Sequence, residues 1–321
     1  MQCYLHFHIL NLELPEPQKQ DQNMNQEITI LDAGMGKALK MQGVEIPGTI
    51  WSANALLVAP EKVQEIHEEN IRAGATMITT NTYGVIRSDL KKVGIEDQFE
   101  SLNLQAVELA KAAVKETGTK VKIAGSLPPL NGSYRPDLVP PLDEIEPLYR
   151  EQATILAAHV DVFLCETMSH INEAVAAASA ASRTGKPVIV SFTLHDEKSG
   201  TLRSGQSLED AIAQLIQFDL EGLSVNCSLP ERITDAIPIL SKSRATLIGG
   251  YANAFTHVPE DWLLDGEKPT DRTLQLRDDL PPEIYAKFVD QWIKDGANLV
   301  GGCCGTLASH TAAIATLVQS K

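Results

Sequence analysis

Residues 298–305 read NLVGGCCG, an apolar run that ends in two adjacent cysteines set among glycines. The run is the last of a series: ITILDAG (28–34), TMITTNTYG (76–84), VKIAGSLP (121–128), VDVFLCET (160–167), PVIVSFT (187–193), LSVNCS (223–228) and TLIGGYAN (246–253) precede it. Short β-branched or apolar runs of this kind predict strands. Between them lie amphipathic stretches such as PEKVQEIHEENIRAG, INEAVAAASAASRTG and PPEIYAKFVDQWIKDG, several closing on the glycine that helix C-termini favour. Strands alternating with helices predict parallel pairing through helical crossovers. Eight such units predict an α/β fold, a single (β/α)8 TIM barrel.

The 321-residue length fits one such barrel. The domain is expected to span 27–321, with 1–26 a peripheral extension in which Met24 is an alternative start. That extension lacks the basic start of a secretory signal and the Arg-rich character of a mitochondrial presequence. One long irregular span, 254–281, follows the seventh run, and a loop of that length points to function or a local insertion.

Acidic residues outnumber basic ones 42 to 27, a net charge of -15 that disfavours nucleic acid and anionic membranes as partners. No apolar stretch reaches the roughly 20 residues a membrane helix needs. Five cysteines, an odd number without regular spacing, do not form a secreted disulfide framework. A reducing, cytoplasmic setting is expected.

In a (β/α)8 barrel the chemistry sits at the C-terminal strand ends. Asp32, Asn81 and Thr82, Glu166, Asn226 with Cys227, and Cys303 with Cys304 all fall there. Taken alone, the adjacent cysteines read as small core residues or a vicinal disulfide. Cys227 lies 76 positions before Cys303, yet strands six and eight of a barrel open onto one mouth. Three converging thiolates suit Zn2+, a borderline-soft ion whose catalytic sites keep a fourth position open. No HExxH pattern is present, and His67, His159, His170 and His310 read as packing or surface residues. Cys165, next to Glu166 on a strand, is expected to point the other way into the core.

The ordered motifs LDAGMG, TNTYG, AGSLPP, CET followed by EA, SVNCS and GGCCG resemble those of the homocysteine S-methyltransferase family, zinc-dependent barrels that methylate homocysteine. The resemblance runs from Ile28 to the C-terminus and implies Cys227, Cys303 and Cys304 as the zinc ligands. Asp32 and Glu166 resemble the acids that bind the amino acid. Ala33 replaces the first glycine of the usual DGG or DGA motif, and Gly305 stands where S-methylmethionine users often carry arginine.

The expected partners are small molecules, homocysteine and a methyl donor. The sequence specifies no oligomeric state. A homocysteine thiol is mostly protonated at neutral pH, and a thiolate-rich metal site would activate it while leaving its sulfur nucleophilic. The expected donor is a sulfonium or ammonium compound: S-methylmethionine, S-adenosylmethionine or a betaine-like molecule. Aromatic faces recognise such cations, and Trp51 in TIWSA is the candidate, with Tyr83 a weaker one. Helix packing is the alternative for Trp51. Asn226 is counted with the substrate-binding residues and is expected to orient its loop or cysteine, and AGSLPPLNGSYRPD (124–137), with Tyr134 and Arg135, reads as a turn scaffold. Competing readings are another thiol or selenol acceptor, a zinc hydrolase, and a zinc-storage protein.

Overall fold

The computed structural model describes residues 27–260, 262 and 274–321. The expected extension with Cys3, His6 and His8, and residues 261 and 263–273 of the long loop, lie outside them. Eight strands form one sheet: β1 (Thr29–Ile30), β2 (Met77–Thr79), β3 (Lys122–Leu127), β4 (Val162–Met168), β5 (Val188–Phe192), β6 (Gly222–Asn226), β7 (Leu247–Ala252) and β8 (Leu299–Gly302). Their order is β1-β8-β7-β6-β5-β4-β3-β2, and every adjacent pair is parallel. A parallel bridge between Leu31 and Met77 joins β1 to β2 and closes the barrel. The expected (β/α)8 architecture is therefore present.

Several strands are shorter than their apolar runs. At the β1/β2 seam, side chains take over where the ladder stops: Thr76 Oγ1 accepts from Ile30 N at 2.8 Å, and Thr79 donates to Asp32 from both its backbone N (2.9 Å) and Oγ1 (3.0 Å).

Strand alternation divides the core in two. Val162 and Leu164 of β4 join Leu31, Met77, Ala124, Ile189, Tyr251 and Leu299 inside the barrel. Phe163 and Cys165 point outward into the layer between strands and helices. Cys165 is thus a core residue, and Glu166, two after Leu164, emerges at the inner rim. Each fully buried aliphatic side chain contributes about 1.5–3 kcal/mol by leaving water. The glycines expected to stop helices, Gly74, Gly118, Gly185 and Gly296, all take positive φ.

The long segment after β7 is partly ordered. Phe255 bridges Leu276 antiparallel, and Arg277 N donates to Ala254 O at 2.8 Å. The segment after β5 adds short antiparallel bridges, Leu194 to Leu202 and Thr201 to Ser207, which the apolar pattern did not foretell. Among the described residues no helix is long and apolar enough to cross a membrane.

Candidate functional site

The C-terminal mouth opens into a cavity lined by Asp32, Trp51, Glu166, Cys227, Cys303 and Cys304, among others. Alternation would send Asn226 and Cys227 to opposite faces. The chain instead leaves β6 with Cys227 at a φ of 46°, a left-handed conformation uncommon outside glycine, and its sulfur joins the cavity wall. After β8 the turn is completed by Gly305 at a φ of 83°.

The ligand atoms of Cys227, Cys303 and Cys304 all lie within 4.8 Å of one another, and among the described residues this is the one cluster of metal-ligating type. Cys227 Sγ lies 3.6 Å from Cys304 Sγ, and the sulfurs of Cys227 and Cys303 are in direct contact as a disulfide pair. The adjacent cysteines do not pair with each other. Tetrahedral coordination with metal–sulfur bonds near 2.3 Å places sulfurs about 3.8 Å apart. The separation between Cys227 and Cys304 is close to that spacing, and three sulfur donors are of the type that suits a soft or borderline divalent ion. Burial pushes the Cys304 thiol up to about 12, with the nearby Glu166 charge adding to the effect.

Two acids line the same cavity. Burial raises Asp32 to about 7 despite the Thr79 hydrogen bonds that oppose the shift. Glu166 is likewise raised to about 7 by burial. Its Oε1 accepts from Ser126 Oγ at 2.5 Å and its Oε2 from Tyr251 OH at 3.2 Å. A register irregularity between Cys165 and Met168, with Thr167 at a φ of 64°, turns the strand at this acid. A bound ammonium group would restore the charged form of both acids, because an opposite charge at contact distance offsets desolvation.

Asn226 does not line the cavity. Its Oδ1 accepts from Thr167 N at 2.7 Å, and its Nδ2 donates to Thr167 Oγ1 at 2.9 Å and approaches Cys303 Sγ at 3.8 Å. It ties the β4 exit to the thiols from behind. Trp51, at a φ of 47°, lines the cavity and also packs on Gly36, where an added Cβ would lie 2.8 Å from the indole. The ring thus packs against the helix and borders the cavity at once. Lys40 Nζ stands 5.6 Å from the Trp51 ring, and Tyr83 OH pairs with Ser133 Oγ at 2.7 Å.

Other wall residues escaped the sequence reading. Tyr134, read as part of a turn scaffold, lines the cavity and meets Trp262 edge-on at 5.7 Å. Arg203 covers the Tyr134 ring at 4.7 Å and pairs with the buried Asp196 at 2.7 Å. Asp196 also accepts from Val258 N at 2.8 Å, so this ion pair joins the segments after β5 and β7. An aromatic inside a polar loop, Trp262 in EDWLLD, was the available signal. Tyr251, Ser126 and Thr79 gave none beyond their places on strands.

Fold and site together define a (β/α)8-barrel enzyme with a thiol centre and paired acids at its mouth. A profile described as homocysteine S-methyltransferase matches residues 29–318. A homocysteine S-methyltransferase of Escherichia coli strain K12 is 30% identical over 309 residues, covering 90% of this chain and 94% of the relative. The crystal structure of the homocysteine methyltransferase MmuM from Escherichia coli in its metallated form superposes with a TM-score of 0.76 at 27% identity, over 91% of this chain and 96% of that one. The oxidized form gives 0.75 at 26%, over 92% and 96%. The chain belongs to the homocysteine S-methyltransferase family.

Proposed function

We propose that the protein is a zinc-dependent S-methyltransferase that moves a methyl group from a sulfonium or ammonium donor to homocysteine, giving methionine. The donor class comprises S-methylmethionine, S-adenosylmethionine and betaine-like compounds. The observation that carries this reading is the meeting of three thiols and two buried acids at one barrel mouth. The relatives are homocysteine methyltransferases, which supports the acceptor, and the Escherichia coli structure in metallated form supports a metal.

Cys227, Cys303 and Cys304, reduced, are the residues to hold Zn2+. Bound there, the ion would supply a Lewis acid that favours the thiolate of an incoming thiol, whose ordinary pKa near 8.5 keeps it protonated. Asp32 and Glu166 receive the acceptor's ammonium, with Thr79, Ser126 and Tyr251 fixing the carboxylate oxygens that face it. Trp51 offers its ring to the donor's positive centre. Tyr134, Trp262 and Phe255 wall the cavity against water. In the transfer the acceptor sulfur forms the new bond to the methyl carbon as the donor's bond to that carbon breaks. The bonding pair stays on the donor, which leaves as a neutral thioether or amine, and the thiol proton is released.

The test is zinc content and methionine formation on the same reduced samples, wild type and Cys227→Ser, with each donor in turn. Wild type should carry about one zinc per chain. The variant should lose it together with on the order of a thousandfold of turnover. Full zinc retention in Cys227→Ser would sink the three-thiolate reading. Turnover with another thiol or selenol but not homocysteine would move the acceptor assignment.

A further inference from the structure

Behind Asp32 stands a histidine with no hydrogen-bond partner. His67 lies on the helix Pro60–Arg72 and is fully buried, and neither ring nitrogen finds a partner. Its Nδ1 is 3.9 Å from Asp32 Oδ2. One turn on, Asn70 faces the same loop: its Oδ1 accepts from Ala33 N and from Thr311 Oγ1, both at 3.0 Å. A single helix thus fixes the backbone just after Asp32 and sets a polar ring against its carboxylate.

A leucine would fill this position without burying two polar atoms, so the imidazole calls for a use. Burial drives its pKa down to about 4, which leaves the ring neutral with one N–H to give. Thr79 already serves both oxygens of Asp32. A third donor matters when the carboxylate must be fully charged, because charge-assisted hydrogen bonds offset the cost of burying an anion. The present separation exceeds hydrogen-bond length, and a side-chain shift of about 1 Å closes it.

We propose that His67 is a positioning residue for the acceptor: its neutral ring donates from Nδ1 to Asp32 Oδ2 and holds Asp32 as a charged, correctly turned carboxylate when the acceptor's ammonium docks on it. The proposal rests on the reading of Asp32 as an acceptor-binding acid. It makes the helix Pro60–Arg72, which contributes no residue to the cavity wall, part of substrate recognition.

The experiment is steady-state kinetics with homocysteine varied at saturating donor, and donor varied at saturating homocysteine, on wild type, His67→Leu, His67→Asn and Asp32→Asn, with melting curves for each. His67→Leu should raise the homocysteine KM about tenfold, the equivalent of one lost charge-assisted hydrogen bond. Its kcat and donor KM should stay within about twofold, and its melting temperature should not fall, because the substitution removes two unpaired buried nitrogens. His67→Asn, which keeps an N–H near the Nδ1 position, should recover to within about threefold of wild type. A homocysteine KM unchanged in folded His67→Leu overturns the proposal, as does an Asn variant as impaired as the Leu one. Should His67→Leu not fold, the more adaptable His67→Met takes its place. Asp32→Asn separates the two readings. An unchanged homocysteine KM there removes the role of Asp32 itself, whereas a raised one beside a normal His67→Leu removes only His67.

Discussion

The exits of β6 and β8 deliver cysteines to the same point by opposite means. After β8 the backbone is free to turn: Gly305 takes a φ of 83°, and the missing Cβ of Gly302 leaves room for Thr306. Thr306 Oγ1 then donates to Cys303 O at 2.7 Å, and Lys37 Nζ donates to Gly305 O at 2.8 Å. After β6 no glycine helps. Cys227 itself holds a left-handed φ of 46°, restrained by Thr193 Oγ1 on its carbonyl at 3.2 Å and by Ser228 Oγ, which accepts from Leu194 N at 2.8 Å. A non-glycine residue persists in that region only where its surroundings over-determine it. The β8 exit needs missing side chains at the turn itself, whereas the β6 exit turns at a residue that keeps its side chain and is held by its neighbours, so they should fail differently.

The largest effect is expected at the glycine exit. Gly302→Ala drives a methyl group into Thr306 and displaces the carbonyl of Cys303. Zinc content and turnover should both fall about a hundredfold or more, with a stability loss of about 1–3 kcal/mol in a denaturant titration. Normal zinc content would show that the turn tolerates a Cβ and break the contrast. At the networked exit the loss should be graded. Asn226→Ala strands Thr167 N and frees the turn beside Glu166. It should cost about 1–3 kcal/mol and weaken the metal about 10–100-fold, read by competition with a chelator. A larger metal loss than in Gly302→Ala would reverse the ranking.

The smallest effect on metal and turnover is expected where charge lies outside both exits. Glu173 is buried, accepts from Ser169 N at 2.8 Å, and is raised to about 7 by burial from 4.5. Its folded pKa lies above its unfolded one. Its stabilising contribution is therefore complete below about pH 4.5 and is lost as pH rises through about 7. Glu173→Gln should match wild type near pH 4.5 and exceed it at pH 8 by on the order of 3 kcal/mol in thermal or denaturant unfolding. An equal gain at both pH values would place the effect in packing rather than charge.

The sequence carried the barrel because eight apolar runs and their glycine-ended partners obey local periodicity. It carried the thiol trio and both acids because they sit at strand ends. The aim of these side chains was another matter. Trp51, Tyr134, Thr167 and Cys227 are the described non-glycine residues with positive φ, and no composition rule marks them. Alternation alone would have turned Cys227 away. His67 is buried, and its orientation toward Asp32 depends on a helix and a strand that only the closed barrel brings together. Tyr134 and Trp262 meet across loops from β3 and β7, a pairing with no sequence period.

The seam between β1 and β2 gives Asp32 a second significance. Where the ladder is shortest, the barrel is held shut by the Leu31–Met77 bridge, by the bond that Ile30 N donates to Thr76 Oγ1 and by the clasp of Thr79 on Asp32. The residue proposed to grip the substrate is also a rivet in the wall. Replacing it is therefore expected to loosen the barrel seam as well as the site.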